Sequence, residues 1–311
     1  MTTKDVIEKY ISYRRSLGEQ FMTESYTLKS FGRSVGEETA LCSVSTKHTL
    51  DYIFKDSDKR TAVCYKRNSI LRGFFTWAVS RGHLHESPLP ALNIRYPQRQ
   101  RPYIYTSDEL KRIFSASLTY QKRRSIMYPE MVFYALVFTY SMGLRIRETL
   151  KIELGDINLS QSYIHIKQTK FYKSRLVTFN NAVKAKLIEC LKWRKSAGMP
   201  DDSEDLLLLD RKNRPITIHN MDASFIRIRE KVGVKCDSDN RHQPHIHSLR
   251  HTFAVNRIAA WYREGKDVQK MLPILSIYMG HTNLDHTAAY ITMTDDLLNE
   301  ANRLFEEFTN K

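Results

Sequence analysis

The stretch MVFYALVFTYSMGLRIRE, residues 131–148, joins a long apolar segment directly to a group of charged side chains. Its first thirteen residues carry no charge and predict a buried helix that ends near Gly143. Arg145, Arg147 and Glu148 follow at once. An arginine beside such an apolar segment is costly to bury unless it meets an anion or a carboxylate. The stretch therefore predicts a core helix whose end presents a guanidinium group to a negatively charged partner.

The chain as a whole is strongly basic. Its 311 residues include 49 Lys and Arg against 34 Asp and Glu, a net charge of +15. A folded basic protein of this kind most often meets a polyanion, because neutralising phosphates releases condensed counterions. No apolar run reaches membrane-spanning length and the charged N-terminus has no signal-peptide core, so we expect a cytoplasmic protein. The four cysteines stand singly and indicate neither a zinc knuckle nor a disulfide framework.

The length predicts two domains. Apolar residues at helical spacing predict a small helical N-terminal domain over residues 1–87. Residues 88–102, PLPALNIRYPQRQRP, hold four prolines, three arginines and no acidic residue, and predict an extended basic linker. Residues 103–311 form the predicted second domain.

Within the second domain the pattern changes from helical to alternating and back. The residues TSDE, 106–109, match a capping box at a helix start. Alternating residues at 163–167 and 175–179 flank a polar turn and predict two antiparallel strands. Helical patterns return over 181–195, 220–232 and 247–262, and a last apolar stripe predicts a C-terminal helix over 295–310. We therefore predict a mainly α protein with a small antiparallel β-sheet.

Two further segments concentrate residues that suit phosphate chemistry. QTKFYKSR, residues 168–175, forms the turn of the predicted hairpin and carries Lys170. HIHSLRH, residues 245–251, places His247 and Arg250 three apart on a helix, so both project from one face and can grip one phosphate.

A fourth segment, MGHTNLDHTAAY, residues 279–290, sets Tyr290 nine residues after His281. Taken singly, each of the four segments has an ordinary explanation in packing, a salt bridge or a solvated turn. Their occurrence in one order along one chain is what points to a functional site.

Together the four segments resemble the catalytic signature of the tyrosine recombinase family, also called phage-type integrases. Family members show a GLRxxE-type motif, a hairpin lysine, HxLRH, and then GH with a tyrosine about nine residues later. Here these stand as GLRIRE, QTKFYKSR, HSLRHTFA and MGHTNLDHTAAY. The resemblance covers about residues 103–300 through the motifs and extends more weakly to 1–87.

The resemblance implies a site-specific recombinase that cleaves and rejoins DNA strands. The charged oxygens of a phosphodiester repel a nucleophile, so cations must neutralise them. Arg145 and Arg250 would clamp the scissile phosphate, and Tyr290 would attack it to form a 3′-phosphotyrosyl link. That link stores the energy of the broken bond, so no metal, ATP or other cofactor is needed. His281 would donate a hydrogen bond to the phosphate, and Glu148 would orient its neighbours.

The same resemblance implies the proton transfers. Lys170 would be the general acid for the leaving 5′-hydroxyl, with Lys173 and Lys167 as competitors within a few residues. His247 would assist proton transfer around the tyrosine. Arg147 stands where many members carry a small polar residue, and it is expected either to contact phosphate or to pair with an acid.

The expected partner is double-stranded DNA with a specific core site. The family architecture makes residues 1–87 a core-binding domain and 103–311 a catalytic domain. The helix over 295–310 would either dock on a neighbouring protomer, within a DNA-bound homotetramer, or pack on its own domain. Integration, excision or transposition of a mobile element is the expected biological setting.

Three alternatives remain open on the sequence. His242, His245, His247 and His251 lie within ten residues, and the last two have the spacing of a helical metal pair, although no HExxH-type glutamate accompanies them. A non-catalytic DNA-binding regulator could share the fold, and so could a relaxing topoisomerase of the type IB kind.

Overall fold

The computed structural model divides the chain into two compact units, Met1–Gln100 and Arg101–Lys311. The residues that the structure describes are 1–55, 62–92, 94, 102–119, 125–167, 174–236, 243–281, 283 and 285–292. Lys170, Lys173, His242 and the predicted helix over 295–310 lie outside the described residues.

The first unit is helical, as predicted. Its helices are α1 (Thr3–Ser16), α2 (Met22–Val35), α3 (Thr46–Phe54) and α4 (Ala62–Ser80), with a short 3-10 turn at Leu41–Ser43. Apolar residues three and four apart on each helix bury one face in a common core, which is rich in aromatic rings.

The buried face of α4 begins at Cys64 and continues to Ala78, whereas Val63 in the first turn is 54% exposed. After α4 the chain continues to pack on the same core. Ile94 is buried there, and the Pro88 carbonyl accepts a 3.4 Å hydrogen bond from the Thr49 hydroxyl. The first residues of the predicted linker therefore belong structurally with the first unit.

The second unit is mainly helical. Its helices are α5 (Ser107–Thr119), α6 (Pro129–Ser141), α7 (Ile146–Thr149), α8 (Asn181–Ser196), α9 (Ile218–Lys231), α10 (Ile246–Arg263), α11 (Val268–Met279) and α12 (Asp285–Ala288), with 3-10 turns at Leu154–Asp156 and Ala289–Thr292. The predicted capping box of α5 is confirmed. The amide of Thr106 donates to the Glu109 carboxylate at 2.8 Å, and the amide of Glu109 donates to the Thr106 hydroxyl at 3.2 Å.

The described strands form one antiparallel sheet in the order β1-β2-β3. The two predicted strands are β2 (Tyr163–Ile166) and β3 (Arg175–Thr178), and a two-residue β1 (Ile157–Asn158) pairs with β2. Ile164 lies opposite Val177, and both are fully buried. The predicted alternation therefore sets which face of the sheet meets the core, and the fold class is confirmed.

Helix α6 is the buried helix that residues 131–148 predict. It has buried residues along most of its length and ends just before Gly143, whose φ of +60° belongs to the left-handed region. A Cβ on Gly143 would lie 2.3 Å from Cδ1 of Phe253 on α10. Glycine is therefore required here both for its backbone conformation and for the close approach to α10. This turn brings the residues after α6 against the start of α10.

Candidate active site

Arg250 is the most deeply buried charged group of the site. Its side chain, from the first turns of α10, is 1% exposed. Nη1 donates to the Gly143 carbonyl at 2.7 Å and Nη2 donates to the Met279 carbonyl at 2.5 Å. Burial and the nearby Arg145 lower the pKa of Arg250 to about 9, which leaves the guanidinium group charged at neutral pH. A buried cation held in this way is poised to meet an anion.

Arg145 lies at the N-cap of α7 and is more open, with a side chain that is 32% exposed. Its Nη1 donates to Oε1 of Glu148 at 2.8 Å, and its Nη2 donates to the Gly280 carbonyl at 2.9 Å. The backbone amide of Arg145 also donates to Glu148, at 3.0 Å. One carboxylate thus fixes both the side chain and the backbone of this arginine.

The C-terminal end of α11 organises three guanidinium groups. The consecutive carbonyls of residues 278–280 accept hydrogen bonds from Arg175, Arg250 and Arg145, at 2.7, 2.5 and 2.9 Å. Carbonyls in the last turn of a helix lack helical partners and carry the negative end of the helix dipole. The helix end therefore acts as a template that sets the arginines at fixed spacing.

Arg175 is the member of this group that the sequence analysis missed. It begins β3, and its Nη1 and Nη2 donate to the two oxygens of Glu148 at 3.0 and 2.8 Å. A Cβ on Gly280 would lie 2.9 Å from Nη1 of Arg175, so the glycine of the MGH segment makes room for it. The signal available in the sequence was an arginine at the point where the hairpin re-enters the sheet, next to the motif lysine.

Glu148 is the shared counterion of the three arginines. Its side chain is 8% exposed, and Nη1 of Arg250 lies 3.9 Å from its Oε2. Burial by itself raises the pKa of Glu148, but the hydrogen bonds from Arg175 and the surrounding positive charge outweigh it and lower the pKa to about 2.

This pKa predicts an acid dependence of stability. The pKa of Glu148 in the folded protein lies below its ordinary value of 4.5. The ionised carboxylate therefore stabilises the folded protein fully above pH 4.5, and this stabilisation is lost as the pH falls towards about 2. The difference between the two pKa values corresponds to about 3 kcal/mol of folding free energy. Urea unfolding measured from pH 7 to pH 3 should show a shallower loss of stability in Glu148→Gln than in the parent. The exposed Glu204→Gln should follow the parent, and an unchanged slope in Glu148→Gln would contradict the prediction.

Tyr290 lies in the 3-10 turn after α12 and is buried, with 3% of its surface exposed. Its hydroxyl lies 2.8 Å from Nδ1 of His251. Burial raises the pKa of Tyr290, while the charges of Arg250 and Arg145 act in the opposite direction. The phenol is therefore protonated at neutral pH and lies within the field of both motif arginines.

His281 follows α11 and is held by a short contact. Its Nδ1 lies 2.7 Å from the hydroxyl of Thr287, a residue with no exposed surface. Its ring stacks on Tyr290 with centroids 6.3 Å apart. The GH histidine and the tyrosine thus face each other, as the motif spacing requires.

His247 does not contact the tyrosine hydroxyl; His251, one turn later on α10, does. His247 has an exposed ring, and its centroid lies 4.6 Å from that of His251 in an edge-to-face arrangement. Crowding by protein atoms and the charge of Arg250 lower the pKa of His247 to about 4. His247 is therefore a neutral, solvent-exposed residue beside His251.

Of the three candidate lysines, the structure describes Lys167 alone. Its ammonium lies 2.7 Å from Glu153 and 2.8 Å from Asp156, and the hydrogen bonds that it donates to the carboxylates of Asp156 and Glu153 raise its pKa. A lysine held by two carboxylates is a poor proton donor, which disfavours Lys167 as the acid. Lys170 and Lys173 lie outside the described residues.

Two other expectations concern groups at the edge of the site. Arg147 is exposed, and in the described part of the chain it forms no ion pair, so its expected pairing with an acid is not found there. The metal alternative gains no support. Among the described residues no group of three or more His, Cys, Asp or Glu side chains is placed to hold a metal ion.

The structure thus brings together five of the six predicted catalytic residues and the supporting Glu148. Arg145, His247, Arg250, His281 and Tyr290 lie in one cluster linked by hydrogen bonds and ring contacts, and the sixth residue, Lys170, lies outside the described residues. Across the helices that the structure describes, none combines the length and apolarity needed to cross a bilayer.

Comparison with protein families places these residues in a known context. Residues 104–296 match the model of the phage integrase family, which covers more than half of the chain. The candidate integrase/recombinase y4rB of Sinorhizobium fredii is 28% identical over 308 residues, which cover 98% of this chain and 97% of that protein. The tyrosine recombinase XerC of Listeria welshimeri is 25% identical over 289 residues, 93% of this chain and 85% of its own.

Solved structures show the same fold. The Tn1549 transposon integrase bound to transposon right-end DNA superposes with a TM-score of 0.70 at 16% identity, covering 99% of this chain and 100% of that one. A lambda integrase tetramer bound to a Holliday junction gives a TM-score of 0.68 at 17% identity, and the match covers 96% of this chain and 78% of the lambda integrase chain. At this level of identity the likeness concerns the fold.

Proposed function

Because this chain belongs to the phage integrase family of tyrosine recombinases, we propose that it is a site-specific DNA recombinase whose nucleophile is Tyr290. The observation that carries the proposal is the clustering of Arg145, Arg250 and His281 around the buried Tyr290. Integration, excision or transposition of a mobile element is the role we propose for it, in keeping with the transposon integrase among its structural neighbours.

In the proposed reaction the two arginines act on the scissile phosphate. Arg250 already uses Nη1 and Nη2 on backbone carbonyls, so its guanidinium is fixed before DNA arrives. Donors that need no reorganisation stabilise the charge that develops on the phosphoryl oxygens most effectively. Tyr290 Oη attacks phosphorus, the bond to the 5′ oxygen breaks, and the phosphotyrosyl link preserves the bond energy for rejoining. We propose that the chain needs neither a metal nor ATP for this exchange.

The proposed function is tested by trapping the covalent intermediate. A DNA duplex nicked near the cleavage point loses a short fragment after cleavage and should leave the wild-type protein covalently attached to DNA. Tyr290→Phe should form no adduct, because it lacks the attacking oxygen, yet should bind the same DNA with nearly unchanged affinity. A stable adduct in Tyr290→Phe would contradict the assignment, and the absence of any adduct in the wild type would favour a non-catalytic DNA-binding protein.

We propose Lys170 as the acid that protonates the leaving 5′ oxygen. The support is the resemblance, together with the engagement of Lys167 by Glu153 and Asp156. Lys170→Ala should lose about 10²-fold or more in the rate of cleavage of ordinary DNA. A 5′-bridging phosphorothiolate substrate needs no acid, so it should restore cleavage in Lys170→Ala. Lys167→Ala and Lys173→Ala are the matched controls, and recovery in Lys173→Ala alone would transfer the role to Lys173.

We propose double-stranded DNA with a specific core site as the partner. The helical first unit would act as a core-binding domain, and the basic segment 88–102 would connect it in sequence to the catalytic unit. Most of the affinity would come from phosphate contacts and fall steeply with salt. We also propose that the protein forms a homotetramer on DNA, assembled through the helix over 295–310. Solved structures of lambda integrase, a structural neighbour, show a dimer bound to a core site and a tetramer bound to a Holliday junction.

A further inference from the structure

We propose that His251 is the base that takes the phenolic proton of Tyr290 when the tyrosine attacks phosphorus. This inference rests on the proposed function, since it needs Tyr290 as the nucleophile. His251 is the last residue of the HSLRH motif, and the resemblance to the family assigned no role to it.

The contact that carries the inference is the 2.8 Å approach of His251 Nδ1 to Tyr290 Oη. The two ring centroids are 5.6 Å apart. Within the described residues, this imidazole is the hydrogen-bond partner of the hydroxyl, which is 3% exposed. A buried hydroxyl hydrogen needs an acceptor. In the proposed arrangement the phenol donates to Nδ1, and the imidazole carries its own hydrogen on Nε2.

The neighbouring histidine is less well placed for the same task. His247 meets the ring of His251 edge to face, at 4.6 Å between centroids, and makes no hydrogen bond to Tyr290 in the described part of the chain. A proton acceptor must reach the proton that it removes, either directly or through one water. By this criterion His251 is the direct acceptor.

The charges that face His251 explain why it is neutral before DNA binds and a better base afterwards. Burial and the neighbouring His247, His245, Arg250 and His281 lower the pKa of His251 to about 3. A neutral imidazole is the form that can accept a hydrogen. A phosphate bound by the arginines would bring negative charge to the site and raise this pKa towards its ordinary range.

The proposed step balances in atoms and charge. The Tyr290 Oη–phosphorus bond forms, the phosphorus–5′ oxygen bond breaks, and the leaving oxygen receives a proton from the general acid. The phenolic proton passes to Nδ1 of His251, which becomes an imidazolium. In rejoining, the same proton returns to Tyr290 as the tyrosine leaves.

Two substitutions separate proton transfer from simple orientation. His251→Phe removes the acceptor and keeps a ring of similar size. His251→Asn places an amide oxygen near the position of Nδ1, so it can still accept the hydrogen bond but cannot hold the proton. The rate of adduct formation on the nicked duplex would be measured from pH 6 to pH 9, beside thermal unfolding and DNA affinity as checks on folding and binding.

Both variants should form adduct about 10²-fold more slowly than the wild type at pH 7, and their rates should rise with pH as the phenol ionises by itself. The wild-type rate should change little over this range. The inference would be overturned if His251→Asn formed adduct at the wild-type rate and with the wild-type pH profile. It would also be overturned if the rate rose with pH in His247→Asn but in neither of the two His251 variants. In each of these cases adduct formation by the wild type, and its loss in Tyr290→Phe, would leave the proposed function intact. If His251→Phe does not fold, the rate and pH profile of His251→Asn alone decide whether His251 is the base.

Discussion

Replacing Arg250 by lysine should reduce DNA cleavage by at least about 10³-fold, although the positive charge is retained. The guanidinium uses Nη1 and Nη2 on two carbonyls that belong to different segments, those of Gly143 and Met279. A lysine ammonium is a single point of charge on a flexible stem, so it cannot hold both carbonyls and still present fixed donors to a phosphate. The measurement is the single-turnover rate of adduct formation at saturating protein. A decrease of less than about tenfold would contradict the prediction.

The chain offers a matched control for this change. Arg194 on α8 is also almost fully buried, at 2% exposure, and it also donates to backbone carbonyls, those of Leu206, Leu207 and Pro200. It takes no part in the site. Arg194→Lys should therefore lower the unfolding temperature and yet leave the cleavage rate of the folded protein close to the parent value. If both substitutions reduced cleavage equally, the effect of Arg250→Lys would be one of stability alone.

The parts of the fold that the sequence predicted are those that local physics determines. The capping box of α5 depends on two side chains three residues apart. The β2–β3 pair follows from alternation on either side of one turn, and α6 follows from an uninterrupted apolar run. In each case the residues that decide the structure are neighbours in the sequence, so periodicity is sufficient.

The parts that it did not predict depend on contacts between distant segments. Arg175 meets Glu148 from 27 positions along the chain, and Tyr290 meets His251 from 39 positions away. Nothing in the spacing of a single motif states which member of HSLRH reaches the tyrosine. The motif resemblance named the groups that would touch DNA and one residue that orients them, Glu148, but not Arg175, because the contacts of Arg175 arise only when α11, β3 and the α6–α7 turn meet.

The ion-pair network around Glu148 yields the second large expected effect. Glu148→Gln should lower the free energy of unfolding by about 3–5 kcal/mol, because it leaves buried guanidinium groups without a counterion. Arg175→Met should cost less, since Glu148 keeps its contact with Arg145 at 2.8 Å. Cleavage should fall in both variants, because Glu148→Gln removes the carboxylate that Arg145 contacts and Arg175→Met removes the guanidinium group that holds both oxygens of that carboxylate.

The double variant Glu148→Gln with Arg175→Met gives the decisive comparison. If the cost of Glu148→Gln comes from an uncompensated buried charge, removing one cation should restore part of the stability, so the double variant should be more stable than Glu148→Gln alone. The exposed pair Lys186–Glu189 is the control, because solvent screens it and its single and double variants should differ little. The free energy of unfolding of each single and double variant is measured by urea unfolding. A double variant whose loss of stability relative to the parent equals the sum of the two single losses would mean that Arg175 and Glu148 act independently, and it would contradict the prediction.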